Sequence, residues 1–200
     1  FCSSVLAELA LPKAISTWSL DHPYTKVSVK QRAHKMSFES VVNGSCDLAL
    51  MSVSADYFLK QVKELDIKPE NFNIILIDRI VACISSQSSL ARKESIEASD
   101  IMCHNFTYLN IGSYIHDPSN YSNIALYTGV NVEFHRRAIR EQDAIALMPR
   151  YVYSAFFNDK RHACKPIEGA RRTIYHVAVY PGDKPNPIVS SLVNLLSDSM

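Results

Sequence analysis

The run Val41-Val42-Asn43-Gly44-Ser45-Cys46-Asp47-Leu48-Ala49-Leu50-Met51-Ser52-Val53 contains the end of one element and the whole of the next. A short helix fits residues 37–42, and Asn43-Gly44 stops it in the manner of a left-handed C-cap. Residues 48–53 then read as a buried strand. Upstream, Ser3 and Ser4 precede Val5, Leu6, Leu9, Leu11, Ile15 and Trp18, a helical recurrence capped by one of the serines and kinked at Pro12. After the breaker Asp21-His22-Pro23, residues 26–30 alternate as Lys-Val-Ser-Val-Lys, which predicts a half-buried strand.

Downstream, residues 62–65 are helical at best, and Pro69 marks a break before two apolar runs, 72–77 and 80–84. Asp78-Arg79 splits those runs without a turn residue, so they read as one extended crossover between lobes rather than as a hairpin. A polar loop and short helix run to Ser99. A strand at 106–109, the loop Asn110-Ile111-Gly112-Ser113 and a helix at 121–127 ending at Gly129 follow. Strands are expected at 130–134 and 144–148, then Pro149 in the first turn of a helix at 150–157, a strand at 173–180 and a closing helix carrying Ile188, Leu192, Leu195 and Leu196. Alternating helices and strands imply an α/β fold with mostly parallel sheets.

Two hundred residues make one large domain or two small lobes. With 47% of residues apolar and 20% charged, disorder is excluded. A formal net charge of +1 provides no bulk electrostatic attraction for nucleic acid. No apolar run approaches the roughly 20 residues of a membrane helix, and no basic segment precedes an apolar stretch as in a signal peptide. The five cysteines, Cys2, Cys46, Cys83, Cys103 and Cys164, are odd in number and mostly inside apolar runs, which fits buried thiols in a reducing compartment.

Seven histidines show no paired ligand spacing and no CxxC occurs, so no metal and no cofactor are expected. Cys103-His104, read as strand neighbours, point to opposite faces and are poorly placed as nucleophile and base. GxSxG, Walker and GxGxxG motifs are all absent, which leaves binding rather than catalysis. The N-x-S/T triplets at Asn43, Asn105 and Asn120 are near chance in so Asn- and Ser-rich a chain. The informative polar groups are hydroxyls where strands end or loops enter helices: Ser3, Ser4, Ser52, Ser54 and Ser113. At such places in α/β sheets, free backbone N–H groups and helix dipoles suit a small anion. Capping and turns explain most serines singly, so only their convergence would be functional.

Several stretches together resemble the effector-binding domain of LysR-type transcriptional regulators. They are Leu9-Ala10-Leu11-Pro12-Lys13-Ala14-Ile15, Asp21-His22-Pro23-Tyr24-Thr25-Lys26-Val27, and Val41 through Leu50 with Cys46 in place of the usual Leu. Residues 80–91 look like that family's strand ending in "HPLA", residues 144–150 (Ala-Ile-Ala-Leu-Met-Pro-Arg) like its "GIALLPR", and residues 175–196 like its closing strand and helix. The resemblance implies a type 2 periplasmic-binding-protein-like fold of two α/β lobes joined by two crossover segments. Lobe I takes residues 1–78 and 171–200, and lobe II takes residues 79–170. It also implies a non-enzymatic effector sensor with a small, polar or anionic metabolite in the interlobe cleft. Ser3, Ser4, Ser52 and Ser113 fall at its ligand positions, with Ser54, Asn110 and Gly112 as further candidates.

The expected partners are a second or further copies of the chain, as homodimer or homotetramer through the first helix and residues 26–30. DNA is bound only through an N-terminal winged helix-turn-helix that is not among these residues, and the location is cytoplasmic. One departure is expected: residues 136–143 offer only a short link where the family places a full helix ending in Gly, a position held here by Asp143. Arg136, Arg137 and Arg140 in that link read as a solvated face before they read as anion binders. The alternatives are the solute-binding protein of an ABC importer, which shares the fold, and a prephenate dehydratase-like enzyme, whose Thr-Arg pair has no counterpart here.

Overall fold

Strand β1 (Ala49–Ser54) is buried along its whole length, because helices cover both of its faces. The computed structural model describes residues 1–109, 126–129, 131–169, 173–182 and 186–200. The chain divides into two compact units, Phe1–Ile77 with Ile174–Met200, and Asp78–Thr173. In the first unit β1 runs antiparallel to β7 (Thr173–Val179), with Leu50 opposite Ala178 and Met51 opposite Val177. β7 is hydrogen-bonded on its other side to β2 (Phe72–Ser85). The period of two then sorts the side chains. Leu50 and Ala178 join Leu6 of α1 (Ser4–Leu9), Trp18 of α2 (Leu11–Asp21), and Leu192 and Leu196 of α8 (Pro187–Ser199). On the opposite face Met51, Val53 and Val177 meet Phe38 of α3 (His34–Val42) and Phe58 of α4 (Ala55–Glu64). One polar tie reinforces these layers, with Trp18 Nε1 donating to Ser191 Oγ at 2.8 Å, and Gly44, at φ +72°, provides the left-handed turn after α3.

In the second unit, β2 pairs antiparallel with β5 (Ile145–Pro149) and with β6 (His162–Pro166). β3 (Phe106–Leu109) pairs in parallel with both β5 and β4 (Leu126–Gly129). Ala82, Ile84, Leu90, Ile96, Phe106 and Ile145 share one core, with Ile101 of α5 (Ala98–Cys103). The charged dipeptide inside β2 has a structural task. Asp78 Oδ2 accepts the Tyr151 backbone N–H at 2.9 Å, in the first turn of α7 (Arg150–Phe156), whose own N-cap is Pro149 and offers no side-chain bond. A carboxylate there satisfies an otherwise orphaned donor at the positive end of the helix dipole. At α5, Glu97 and Asp100 form a capping box, and Lys93 Nζ reaches Asp100 at 2.7 Å. The Lys93 hydrogen bond, followed by the Glu97 backbone N–H, holds the Asp100 carboxyl below its ordinary range.

Several expectations are corrected. Residues 26–30 form no strand: Val27 and Val29 are exposed, and the nearest pairing is an isolated bridge from Cys2 to Gln31. Alternation alone cannot make a strand where no ladder partner lies alongside. Pro12 does not kink one helix but sits in the first turn of the second, after a break at Ala10, where its missing N–H costs little. α4 extends far beyond residues 62–65 because Ser54 caps it and Phe58 and Val62 lie one turn apart on its packed face. The short helix before Ser99 is a 3-10 turn, Ser89–Arg92, and α5 starts only at Ala98.

The largest difference is α6 (Val132–Gln142), a full helix across residues expected to be a strand and an abridged link. Asn131 caps it by accepting the Phe134 N–H at 2.9 Å, and Asp143 ends it at φ +48°, the left-handed conformation in which the family's glycine is at ease. His135, Ala138 and Ile139 at helical spacing bury its inner face. Residues 126–129 form β4 rather than a helix end, residues 121–125 lie outside the described ones, and β6 occupies a stretch whose sequence predicts no element. Pro149 ends β5 as the N-cap of α7 rather than entering its first turn. The sheets are mixed rather than mostly parallel, with β1/β7, β2/β5 and β2/β6 antiparallel. The first half of β2 is only partly buried, against an expectation of full burial. Cys103 ends α5, and His104 Nδ1 bonds the Asp100 carbonyl at 2.8 Å, so the pair is a helix terminus and not two strand residues.

Phe58, 1% exposed, packs its ring 5.0 Å from Phe72 and 5.9 Å from Tyr175. Phe58→Ala is expected to destabilise the folded chain by about 3–5 kcal/mol, the usual cost of deleting a core aromatic, measured by urea unfolding.

Candidate functional site

Antiparallel pairing with β7 brings Ser52 of β1 opposite His176, and period two turns both toward the face shared with Leu50 and Ala178. Both are fully buried, and Ser52 Oγ lies 2.8 Å from His176 Nδ1. A hydroxyl in an apolar layer is tolerable only with such a partner. Two residues on, the Ser54 hydroxyl accepts the Tyr57 N–H at 3.3 Å as the N-cap of α4. The C-terminal end of β1 thus opens onto a helix N-terminus, where backbone N–H groups and the dipole favour an acceptor or anion.

The start of α1 packs against the same strand. Cys2 bridges Leu50, and the Ser3 N–H donates to the Leu50 carbonyl at 2.8 Å. Ser3 holds the N-cap position of α1 but makes no side-chain cap bond, and its buried Oγ has no hydrogen-bond partner among the described residues. Ser3, Ser52 and Ser54 therefore belong to neighbouring segments of the first unit. The side chain of Ser4 and the whole of Asn110, Gly112 and Ser113 lie outside the described residues.

The second unit repeats the hydroxyl–imidazole arrangement: Thr107 Oγ1 of β3 lies 2.8 Å from His135 Nδ1 of α6, both fully buried. Sequence reading missed both histidine partners. The available signal was a histidine in the apolar run of β7 and another on the inward spacing of α6. The arginines of α6 are engaged locally: Arg137 meets Glu133 at 3.5 Å, Arg140 meets Glu141 at 2.7 Å, and Arg136 donates to the Phe156 carbonyl while lying over the Phe157 ring. Nearby, burial opposes ionisation of Asp159, but the Arg161 backbone N–H and the His162 and Arg161 side chains bring its carboxyl down to about 2.

A cavity of about 430 Å³ also lies in the first unit, lined by Trp18, Lys26, Lys30, Leu48 and Ile188 among others, and none of the nominated serines borders it. No group of three or more metal-ligating side chains converges among the described residues. Hydroxyls, imidazoles and helix ends are equipped to recognise a ligand by hydrogen bonding.

Two α/β units of this kind, linked by β2 and by the return into β7, define a type 2 periplasmic-binding-protein-like ligand-binding domain. The chain belongs to the LysR substrate binding domain family, whose profile matches residues 1–200. It is thus a regulatory domain of a transcription factor and not an enzyme. Among solved structures, it is similar to the regulatory domain of MetR, a LysR family regulator from N. meningitidis, at 13% identity and TM-score 0.72 over 99% of this chain and 90% of that one. It is also similar to the BenM effector binding domain with its effector benzoate, at 13% identity and TM-score 0.65 over 98% of this chain and 88% of that one. Full-length CbnR complexed with its target DNA matches at 12% identity and TM-score 0.63 over 100% of this chain and 68% of that one. No curated protein sequence matches this chain. Among the described residues, no helix is long and apolar enough to cross a membrane.

Removing the Ser52 hydroxyl deletes one buried neutral hydrogen bond. Ser52→Ala leaves the buried His176 ring nitrogen without that partner and is expected to lower stability by about 1–3 kcal/mol without ligand, read as a shift in urea midpoint at unchanged slope.

Proposed function

We propose that this chain is the effector-sensing and oligomerising part of a LysR-type regulator, and that it takes a small polar or anionic metabolite. Ser3, Ser4, Ser52 and Ser54 of the first unit and Asn110, Gly112 and Ser113 of the second are its ligand-binding residues. The observation that carries this reading is the buried Ser3 hydroxyl, which has no hydrogen-bond partner among the described residues at the start of α1 while its backbone is tied to β1. A buried polar atom without a partner costs free energy that a ligand can recover. The α4 N-terminus at Ser54 adds preference for an acceptor. Benzoate, the effector in the similar BenM domain, is a small carboxylate of that kind.

Differential binding of the metabolite to alternative states of the domain would bias how DNA-binding arms elsewhere in the polypeptide sit on an operator. The CbnR complex with target DNA supports this division of labour. Such a regulator works in the cytoplasm as a homodimer or homotetramer. With residues 26–30 forming no strand, the first helices are the remaining candidate for the contact, and Leu20 at the end of α2 and the nearby Tyr24 are among the most exposed large apolar residues. The family match weighs against the importer alternative.

A panel of small carboxylates and other polar metabolites titrated calorimetrically into the protein tests the site. Ser52→Ala and Ser113→Ala should each weaken the bound metabolite by roughly threefold to a hundredfold. Unchanged affinity in both variants would remove the assignment. In sedimentation velocity at high micromolar concentration the chain is expected to run as a dimer or larger, and a monomer there would overturn the oligomerisation reading.

A further inference from the structure

In the antiparallel pairing of β2 with β6, Cys83 stands directly opposite Cys164. Opposed residues in an antiparallel pair have Cα atoms about 4.5 or 5.5 Å apart and side chains on the same face. Disulfides span Cα separations of about 4.4–6.8 Å. The Ser86 N–H bond to the Arg161 carbonyl fixes the alternation of the ladder and makes 83/164 a non-hydrogen-bonded pair, the type whose side chains lie closer together and whose Cα spacing falls at the short end of that range. Both residues are free thiols. Ala82 and Ile84 point into the core shared with Leu90 and Phe106, which puts Cys83 and its partner on the other face of the sheet. There Tyr153 of α7 lies near enough to feel charge on either sulfur. We propose that Cys83 and Cys164 are a thiol pair that oxidises reversibly to a cross-strand disulfide, making the second unit responsive to oxidants of the peroxide class. This inference does not depend on the effector reading.

The two thiols differ in a way that orders the chemistry. Cys83 is fully buried and Cys164 half-buried, so an oxidant meets Cys164 first. Burial pushes both thiols up, and at Cys164 the positive charges of Arg150, Arg79 and Lys165 offset part of that effect. The Cys164 sulfur attacks one peroxide oxygen; the O–O bond breaks, an S–O bond forms and one water departs, leaving a sulfenic acid. The Cys83 sulfur then attacks the Cys164 sulfur. The S–S bond forms as the S–O bond breaks, and the hydroxide leaves with the Cys83 proton as a second water. One peroxide is reduced by two electrons, two thiols become one disulfide, and a dithiol reductant reverses the process. The disulfide would staple β6 to β2 and close the chain that carries β3 to β5 and α5 to α7, restricting the unfolded ensemble.

The test treats the protein with hydrogen peroxide and maps cysteines by mass spectrometry without reduction. The exposed thiol is first removed by Cys103→Ser. A loss of two hydrogens, a Cys83–Cys164 cross-linked peptide, its disappearance with dithiothreitol and a thermal midpoint several degrees higher are expected. Cys83→Ala should leave Cys164 as a sulfenic acid that dimedone traps. Native circular dichroism and unfolding of each reduced variant confirm folding beforehand. A cross-link to Cys2 or Cys46 instead, or two unmodified thiols at 83 and 164 when other cysteines have oxidised, would overturn the proposal.

Discussion

β2 is a single strand of 14 residues that belongs to two units and meets different surroundings in each. Its first part lies beside β7 and is only partly buried; its second part lies between β5 and β6 and is buried on both faces. A strand can make this passage only if nothing in the middle turns the chain back, and Asp78-Arg79 contains no residue that would. The dipeptide sits where the strand is still open to solvent, with Arg79 exposed and Asp78 half-buried. Asp78 accepts N–H groups from Arg79 and from Tyr151 at the head of α7. The same contact fixes where α7 starts, and therefore how Pro149 ends β5. Strand continuity and helix capping are here one arrangement.

The two units also share a way of placing polarity in their interiors. Ser52 with His176, and Thr107 with His135, are fully buried hydroxyl–imidazole pairs, each joining two elements distant in sequence. Such a pair is worth little net free energy when satisfied and costs more when half of it is lost, so it selects register rather than adding much stability. A one-residue slip of β1 against β7 would turn Ser52 away from His176 and set Met51 on the wrong face. The nominated ligand residues of the first unit adjoin this registered strand, which suits a binding function: recognition groups have to be held still by packing before a small molecule can exploit them.

Much of the fold was legible in local sequence. The Asn43-Gly44 stop, the apolar strand after it, the unbroken crossover, the strand at Phe106, the strand at Ile145 and the closing strand and helix all follow from propensity and period, and the ordered motifs carried the family. Other readings failed for identifiable reasons. Residues 26–30 alternate faultlessly, yet a ladder needs a partner that alternation does not supply. Val132 to Phe134 has the composition of a strand, but Asn131 caps a helix there, and burial of His135, Ala138 and Ile139 on one face outweighs β propensity. β6 carries too little apolar character to announce itself and exists because β2 offers it an open edge. Of the candidate site, the serines were visible as hydroxyls at element ends, but His176 was not visible as the partner of Ser52.

What this sequence determined by itself is the succession of elements and the identity of the family, since capping residues, apolar periods and short motifs act within a few positions of the chain. What only the tertiary structure decided are the pairings across long separations: Ser52 with His176, Thr107 with His135, Asp78 with the head of α7, and Cys83 with Cys164. These depend on which strands lie side by side and in which register. Register is set by the summed burial of whole faces, a quantity that no local stretch of residues contains.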